Sequence, residues 1–326
     1  MFIESVRLDI ALEKWPLKVP FRITGHSWEA VEVVAVRLEK DGCVGQGEGA
    51  GVYYRNDTPA SMLKQLEELR PRIEAGLSRD SVQTLLAPGG ARNALDCALW
   101  ELEAKLSGHP VWEIAGLSEP RPLLTTFTCG ADEPEKMAAA ALAYRGARAI
   151  KLKLTGAASD LARVEAVRAA LPDVWLGVDA NQGFTRESLE RLIPALLANR
   201  VALIEQPFPI GEERWLDGLA SPIPVAADES VQGVASIPQL VGRVQMINIK
   251  LDKCGGLTEG LAMVRVARQL GLEPMVGNMM GTSLAMRPAF VVGQFCEVVD
   301  LDGPAFIKVD RDRPVIYKDG FISCPE

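Results

Sequence analysis

The chain has 326 residues, 48% of them hydrophobic and 24% charged, with a formal net charge of −8. That composition excludes a disordered or collagen-like chain, and the acidic balance argues against nucleic acid, whose phosphates call for a basic face. No apolar run approaches the ~18 residues of a membrane span, the start M-F-I-E-S-V-R-L-D-I is unlike a signal peptide, and six cysteines without a C-x-x-C pair read as buried thiols. A cytoplasmic location and a small-molecule partner are expected, with a homo-oligomer left open.

Residues 1–54 alternate apolar and polar positions, as in S-V-R-L-D-I-A-L and V-E-V-V-A-V-R-L-E, the period of a small antiparallel sheet. Asp41-Gly42 is a hairpin turn signal, and Phe21–Trp28 reads as a polar, glycine-containing loop. G-Q-G-E-G-A-G at Gly45–Gly51 is followed by no helix-opening lysine, so close backbone packing is the better reading than a phosphate cradle. Thr58–Ala75 and Asn93–Leu106 carry helical periodicity, and Gly108-His109-Pro110 stops the second helix. These residues, 1–110, make an α+β capping domain.

From Leu123 the pattern becomes strand–helix alternation, with candidate strands at 123–128, 149–154, 174–179, 201–205, 223–228, 245–250, 273–277 and 296–301. Eight strands of one period match a TIM-like (β/α)₈-type barrel over 111–303, whose catalytic groups stand at the carboxyl ends of the strands. The tail, 304–326, alternates again and is expected to return to the capping domain.

The second strand, A-I-K-L-K-L, puts Lys151 and Lys153 on one face and Ile150, Leu152 and Leu154 on the other. Buried ammonium groups need anions beside them, and the next strands end in Asp179, Glu205, Asp228 with Glu229, and Lys250. Three converging carboxylates, Asp179, Glu205 and Asp228, suit a hard divalent cation, Mg²⁺ before others, and no histidine or cysteine at these strand ends invites a soft metal.

Lys153 on strand two and Lys250 on strand six fall on opposite walls of an eight-stranded ring. A carbon acid held between them loses its proton to one lysine and regains one from the other, provided burial and neighbouring cations depress the lysine pKa. Lys151 supplies such a charge, or else serves as a structural partner of the carboxylates. Asn181 is a candidate donor to a ligand carboxylate, and Glu229 a candidate partner of Lys250. On strand eight, Asp300 and Asp302 share a face and invite a substrate ammonium.

K-L-K, D-A-N, E-Q-P, A-D-E-S, N-I-K-L-D-K-C-G-G and A-R-N-A-L-D-C-A-L-W together resemble the enolase superfamily, in its muconate-lactonizing subgroup. The resemblance implies Mg²⁺ and lysine acid–base catalysis. The D-x-D of D-L-D-G-P and the G-T-S-L-A-M at 281–286 are similar to the dipeptide epimerases. That likeness implies 1,1-proton transfer at the α-carbon of the C-terminal residue, with Asp300 and Asp302 holding the free amino group. Thr126, Asn278, His26, Trp28 and Tyr54 are the further substrate contacts expected. Glutamate-preferring members present an arginine from the loop matching 21–28, whereas here Arg22 comes early and Arg55 is the substitute, so an apolar second residue is an alternative. An o-succinylbenzoate synthase or muconate cycloisomerase is the other reading, although Asp300 and Asp302 would repel those anions.

Overall fold

The alternating N-terminal segment forms a three-stranded antiparallel sheet of Arg7–Ile23, His26–Lys40 and Cys43–Gly49 in the computed structural model, which describes residues 1–23, 26–219 and 221–325. Asp41 and Gly42 both take positive φ, 50° and 76°, as a tight primed hairpin turn requires. Phe21–Trp28 is not a free loop but the far end of the first hairpin, with Phe21 opposite Trp28 and Ile23 opposite His26. Cross-strand aromatic pairing extends the ladder there; Gly25 lies outside the described residues.

The glycine-rich strand packs backbone to backbone on the helix Gly90–Ser107. A Cβ on Gly45, Gly47 or Gly49 would stand 2.1, 2.0 or 2.3 Å from the carbonyl oxygens of Ala98, Ala94 and Gly90. Close packing, not phosphate, accounts for these glycines. Thr58–Ala75 is two helices, Pro59–Glu68 and Arg70–Ala75, because Pro71 has no N–H with which to continue the first.

Eight parallel strands follow in sequence order: Phe127–Cys129, Ala149–Lys153, Trp175–Asp179, Val201–Glu205, Val225–Ala227, Met246–Ile249, Glu273–Val276 and Val298–Val299. The ends of this curled sheet meet where Thr126 N–H donates to the Val299 carbonyl at 3.0 Å. Register aligns Lys153 with Asp179 and Asp179 with Glu205, so the charges sit in one layer. Ile150 and Leu152 join the apolar core on the other side of their strand. Short 3₁₀ turns, Glu213–Leu216, Val234–Ser236 and Pro238–Leu240, replace full helices around the fifth strand.

The predicted first strand, 123–128, divides. Phe127–Cys129 enters the barrel, while Leu123–Leu124 pairs with Phe321–Ser323 of the tail. The tail touches the cap through the Leu17–Ile307 bridge and through Arg311, which binds Glu13 and Glu48, before its hairpin turns to the barrel edge. A second tie between cap and barrel is Asp252, whose Oδ1 accepts from the N–H groups of Ala50 (2.9 Å) and Gly51 (3.3 Å) and from Asn93 Nδ2 (3.2 Å). Among the described residues no helix is long and apolar enough to cross a membrane.

Candidate active site

The carboxyl ends of the strands open into a cavity of about 900 Å³ lined by both domains. At its floor Asp179, Glu205 and Asp228 are buried, with one carboxylate oxygen from each within 4.8 Å of the others. Asn181 takes a left-handed φ of 42°, which asparagine tolerates, and its N–H reaches Asp179 Oδ1 at 2.8 Å. Its side chain donates to Glu229 Oε1 at 3.2 Å. Asn181 thus spans Asp179 and Glu229.

Four buried lysines face these acids. Lys151 reaches Asp300 Oδ2, Glu205 Oε2 at 3.3 Å and Asp179 Oδ2 at 3.8 Å. Lys153 donates to Asp179 Oδ2 at 2.5 Å, and Lys250 and Lys253 donate to the two oxygens of Asp228, each at 2.6 Å. Glu229 is therefore not the partner of Lys250, which the shorter Asp228 captures instead. Lysines 151, 153, 250 and 253 stand against six buried carboxylates at positions 179, 205, 228, 229, 300 and 302. Fully ionised, that set is two charges short of neutral, and its hard oxygen donors fit a divalent cation such as Mg²⁺.

The titration behaviour follows from that imbalance. Burial, then repulsion from Asp179, pushes Glu205 up to about 7. Burial, then Asp228, pushes Glu229 up to about 8. Burial also works to raise Asp228, but Lys250 and Lys253 outweigh it and hold that carboxyl below the usual range. Lys250 departs from expectation: burial lowers its pKa, but Asp228 together with Glu205 and Glu229 outweighs burial, so the ammonium is held above its ordinary value.

At strand eight, Asp300 is already engaged. Lys151 takes Oδ2 and the Thr126 hydroxyl donates to Oδ1, so Thr126 supports Asp300 and does not line the cavity. Thr128, one pleat further on, does line it. Asp302 Oδ2 accepts from Thr128 N–H at 2.7 Å, and Asn278 Nδ2 donates to the Asp300 carbonyl at 2.6 Å. Burial, then Asp300, pushes Asp302 up to about 6.

The roof belongs to the cap. Trp28, Tyr53 and Tyr54 line it, and the exposed His26 ring lies 4.5 Å from Tyr53 and 5.5 Å from Trp28 without lining the cavity. Neither candidate arginine enters. Arg55 donates to Gln232 at 2.9 Å, and the charge of Arg22 acts on Asp132 outside the cavity. Two residues escaped the sequence reading. Asn248, which shares a face with Lys250 by the period of two, donates to Glu205 Oε1 at 2.7 Å. Lys253 sits one helical turn after Lys250 and turns back beneath Asp228.

Comparison with known proteins agrees with this geometry. Residues 135–326 match the family model "Enolase C-terminal domain-like", and residues 5–116 match the N-terminal domain of mandelate racemase / muconate lactonizing enzyme. The L-Ala-D/L-Glu epimerase of Escherichia coli is 37% identical, over 94% of this chain and 96% of that protein. An N-acetyl-D-glutamate racemase of Pseudoalteromonas is 42% identical over 73% of this chain and 75% of its own length. Among solved structures, an Agrobacterium tumefaciens enolase-family protein with homology to dipeptide epimerases, holding sodium and L-Ala-L-Glu, superposes with a TM-score of 0.95 at 36% identity, covering 99% of this chain and 98% of that one. A dipeptide epimerase of Methylococcus capsulatus with Mg and L-Arg-D-Lys gives 0.92 at 28% identity, over 99% and 98%.

Proposed function

This chain belongs to the enolase superfamily, and from that premise we infer that it is a Mg²⁺-dependent dipeptide epimerase. The reaction is 1,1-proton transfer at the α-carbon of the C-terminal residue. The observation that carries the reading is the placement of Lys153 and Lys250 on strands two and six of eight, on either side of the carboxylate cluster. A substrate carbon between them is reached from both faces.

Asp179, Glu205 and Asp228 would hold a Mg²⁺, which would offset most of their charge and supply stabilisation of the negative charge that develops on the substrate carboxylate. Burial and the neighbouring Lys151 ammonium work to lower the Lys250 pKa toward that of a base, against Asp228, Glu205 and Glu229, whose charge would be offset by a metal at the site. Lys153 serves the opposite face. Lys151 and Asn248 hold Glu205, and Asn181 holds Asp179 and Glu229. Asp302, with Asn278 beside it, binds the free ammonium of the dipeptide; Asp300, neutralised by Lys151, fixes that lysine. Trp28 and Tyr54 close over the substrate side chain.

A dipeptide is one kind of N-acylated amino acid, and one observation favours a second reading within that class. Asp300 is already paired with the Lys151 ammonium, whereas Asp302 is held by the neutral donors Thr128 and Asn278, which leaves Asp302 as the acid for a substrate ammonium. An N-acetyl amino acid needs none, and a relative with that substrate in its name is 42% identical. Incubation with Mg²⁺ in D₂O of an L,L-dipeptide panel that includes L-Ala-L-Glu, alongside N-acetylglutamate, decides between them by mass and chirality. α-Deuteration and epimers from dipeptides are expected. Exchange confined to N-acetylglutamate selects the second reading, and no exchange with either rejects both.

A further inference from the structure

Lys253 is 1% exposed, and all of its donors point inward. Its ammonium donates to Asp228 Oδ1 at 2.6 Å, to the Asp228 backbone carbonyl, and to the Asn248 carbonyl at 3.0 Å. That exhausts the three protons of an ammonium. A cation so buried carries a large desolvation cost and reaches neither the cavity nor solvent. The other oxygen of Asp228 receives Lys250 at 2.6 Å. The carboxylate is therefore gripped from behind by one lysine and presents its front to another. The helical turn Leu251–Cys254 makes this possible by setting the two lysines three residues apart.

The opposite wall is built differently. Asp179, the partner of Lys153, is steadied by the backbone N–H of Asn181 at 2.8 Å. Lys253 touches only the Lys250 side. A carboxylate torsion is broad when unrestrained, so without Lys253 the Asp228 oxygen no longer aims the Lys250 ammonium.

We infer that Lys253 is a positioning residue for Lys250, holding Asp228 so that proton transfer on one face of the substrate, and on that face alone, is efficient. This rests on the epimerase reading. In the Mg²⁺-loaded enzyme, α-deuterium exchange is measured separately from each epimer of a substrate that the wild type turns over. Lys153→Ala identifies the epimer that depends on Lys250, because only that one still exchanges. Lys253→Met is expected to slow exchange of that epimer about 10–100-fold, the usual cost of losing a partner of a metal ligand, and to leave the other within about threefold. Lys253→Gln, which keeps a donor without the charge, falls between, and it replaces the methionine variant if that one does not fold.

A second readout needs neither metal nor turnover. Acetic anhydride labelling of the metal-free protein, mapped by mass spectrometry, is expected to show a Lys250:Lys153 labelling ratio in Lys253→Met that differs from wild type, because Asp228 no longer holds the Lys250 ammonium in the same place. Equal slowing of both epimers, or an unchanged Lys250:Lys153 labelling ratio, overturns the inference. If the wild type exchanges no N-acyl amino acid the epimerase reading fails, and the labelling ratio alone decides the positioning role.

Discussion

The floor and the roof of the cavity are made from different materials. The floor is a lattice of buried acids and lysines in which most groups are held by at least two others: Lys151 by three carboxylates, Asp228 by two lysines. The roof is a cluster of rings, Trp28, Tyr53 and Tyr54, with His26 at its rim stacked on Trp28 and tilted against Tyr53. A charged lattice tolerates little, because losing one member leaves a buried charge unpaired. Ring contacts are graded and weaker, about 0.5–1.5 kcal/mol each. Chemistry is thus fixed below, and choice of substrate is exercised above.

Replacing either base tests the floor hardest. Lys153→Ala and Lys250→Ala should each reduce epimerisation by about 10²–10⁴-fold, the range for general acid–base groups, while each retains deuterium exchange of one epimer, a different one in the two variants. Loss of exchange from both epimers in one variant would break the two-walled account. Asp302→Asn comes next. Removing a charge-assisted hydrogen bond of about 1.5–3 kcal/mol lowers kcat/KM for dipeptides about 10–150-fold and leaves N-acetylglutamate turnover, if present, nearly unchanged.

The pH profile sharpens the same distinction. Asp302, raised to about 6 by burial and then by Asp300, must be ionised to hold an ammonium. Dipeptide kcat/KM therefore falls as pH drops through about 6, where an unperturbed aspartate would hold out to about 4. An N-acetyl substrate should lack that acidic limb. For the roof, Trp28→Ala is expected to raise KM about 3–10-fold with little change in kcat, read in steady-state kinetics. His26→Ala, at the rim, should stay within about threefold. If either roof variant abolished α-proton exchange, the division between floor and roof would fall.

Much of the floor was legible because a strand's period of two is unforgiving. Once I-K-L-K-L is a strand, Lys151 and Lys153 share a face; the same rule pointed at Asp300 and Asp302, although their strand ends at Val299. Register between neighbouring strands then brings Lys153, Asp179 and Glu205 level. What escaped depended on partners distant in sequence. Leu123–Leu124 looks continuous with the first barrel strand until the tail arrives to pair with it. Arg55 reads as a cavity residue until Gln232, far along the chain, takes its guanidinium. Lys253 lies in a turn too short for periodicity to reveal. Asp300 and Asp302 read as twins, and only the approach of Lys151 and Thr126 from other strands gives them different tasks.

The grip of Asp252 on the amides of Ala50 and Gly51 has a consequence for engineering. That carboxylate belongs to the turn linking Lys250 to Lys253, so the stretch leading to Tyr53 and Tyr54 is moored to the catalytic wall. A transplant across residues 50 and 51 therefore drags a base out of alignment along with the lid.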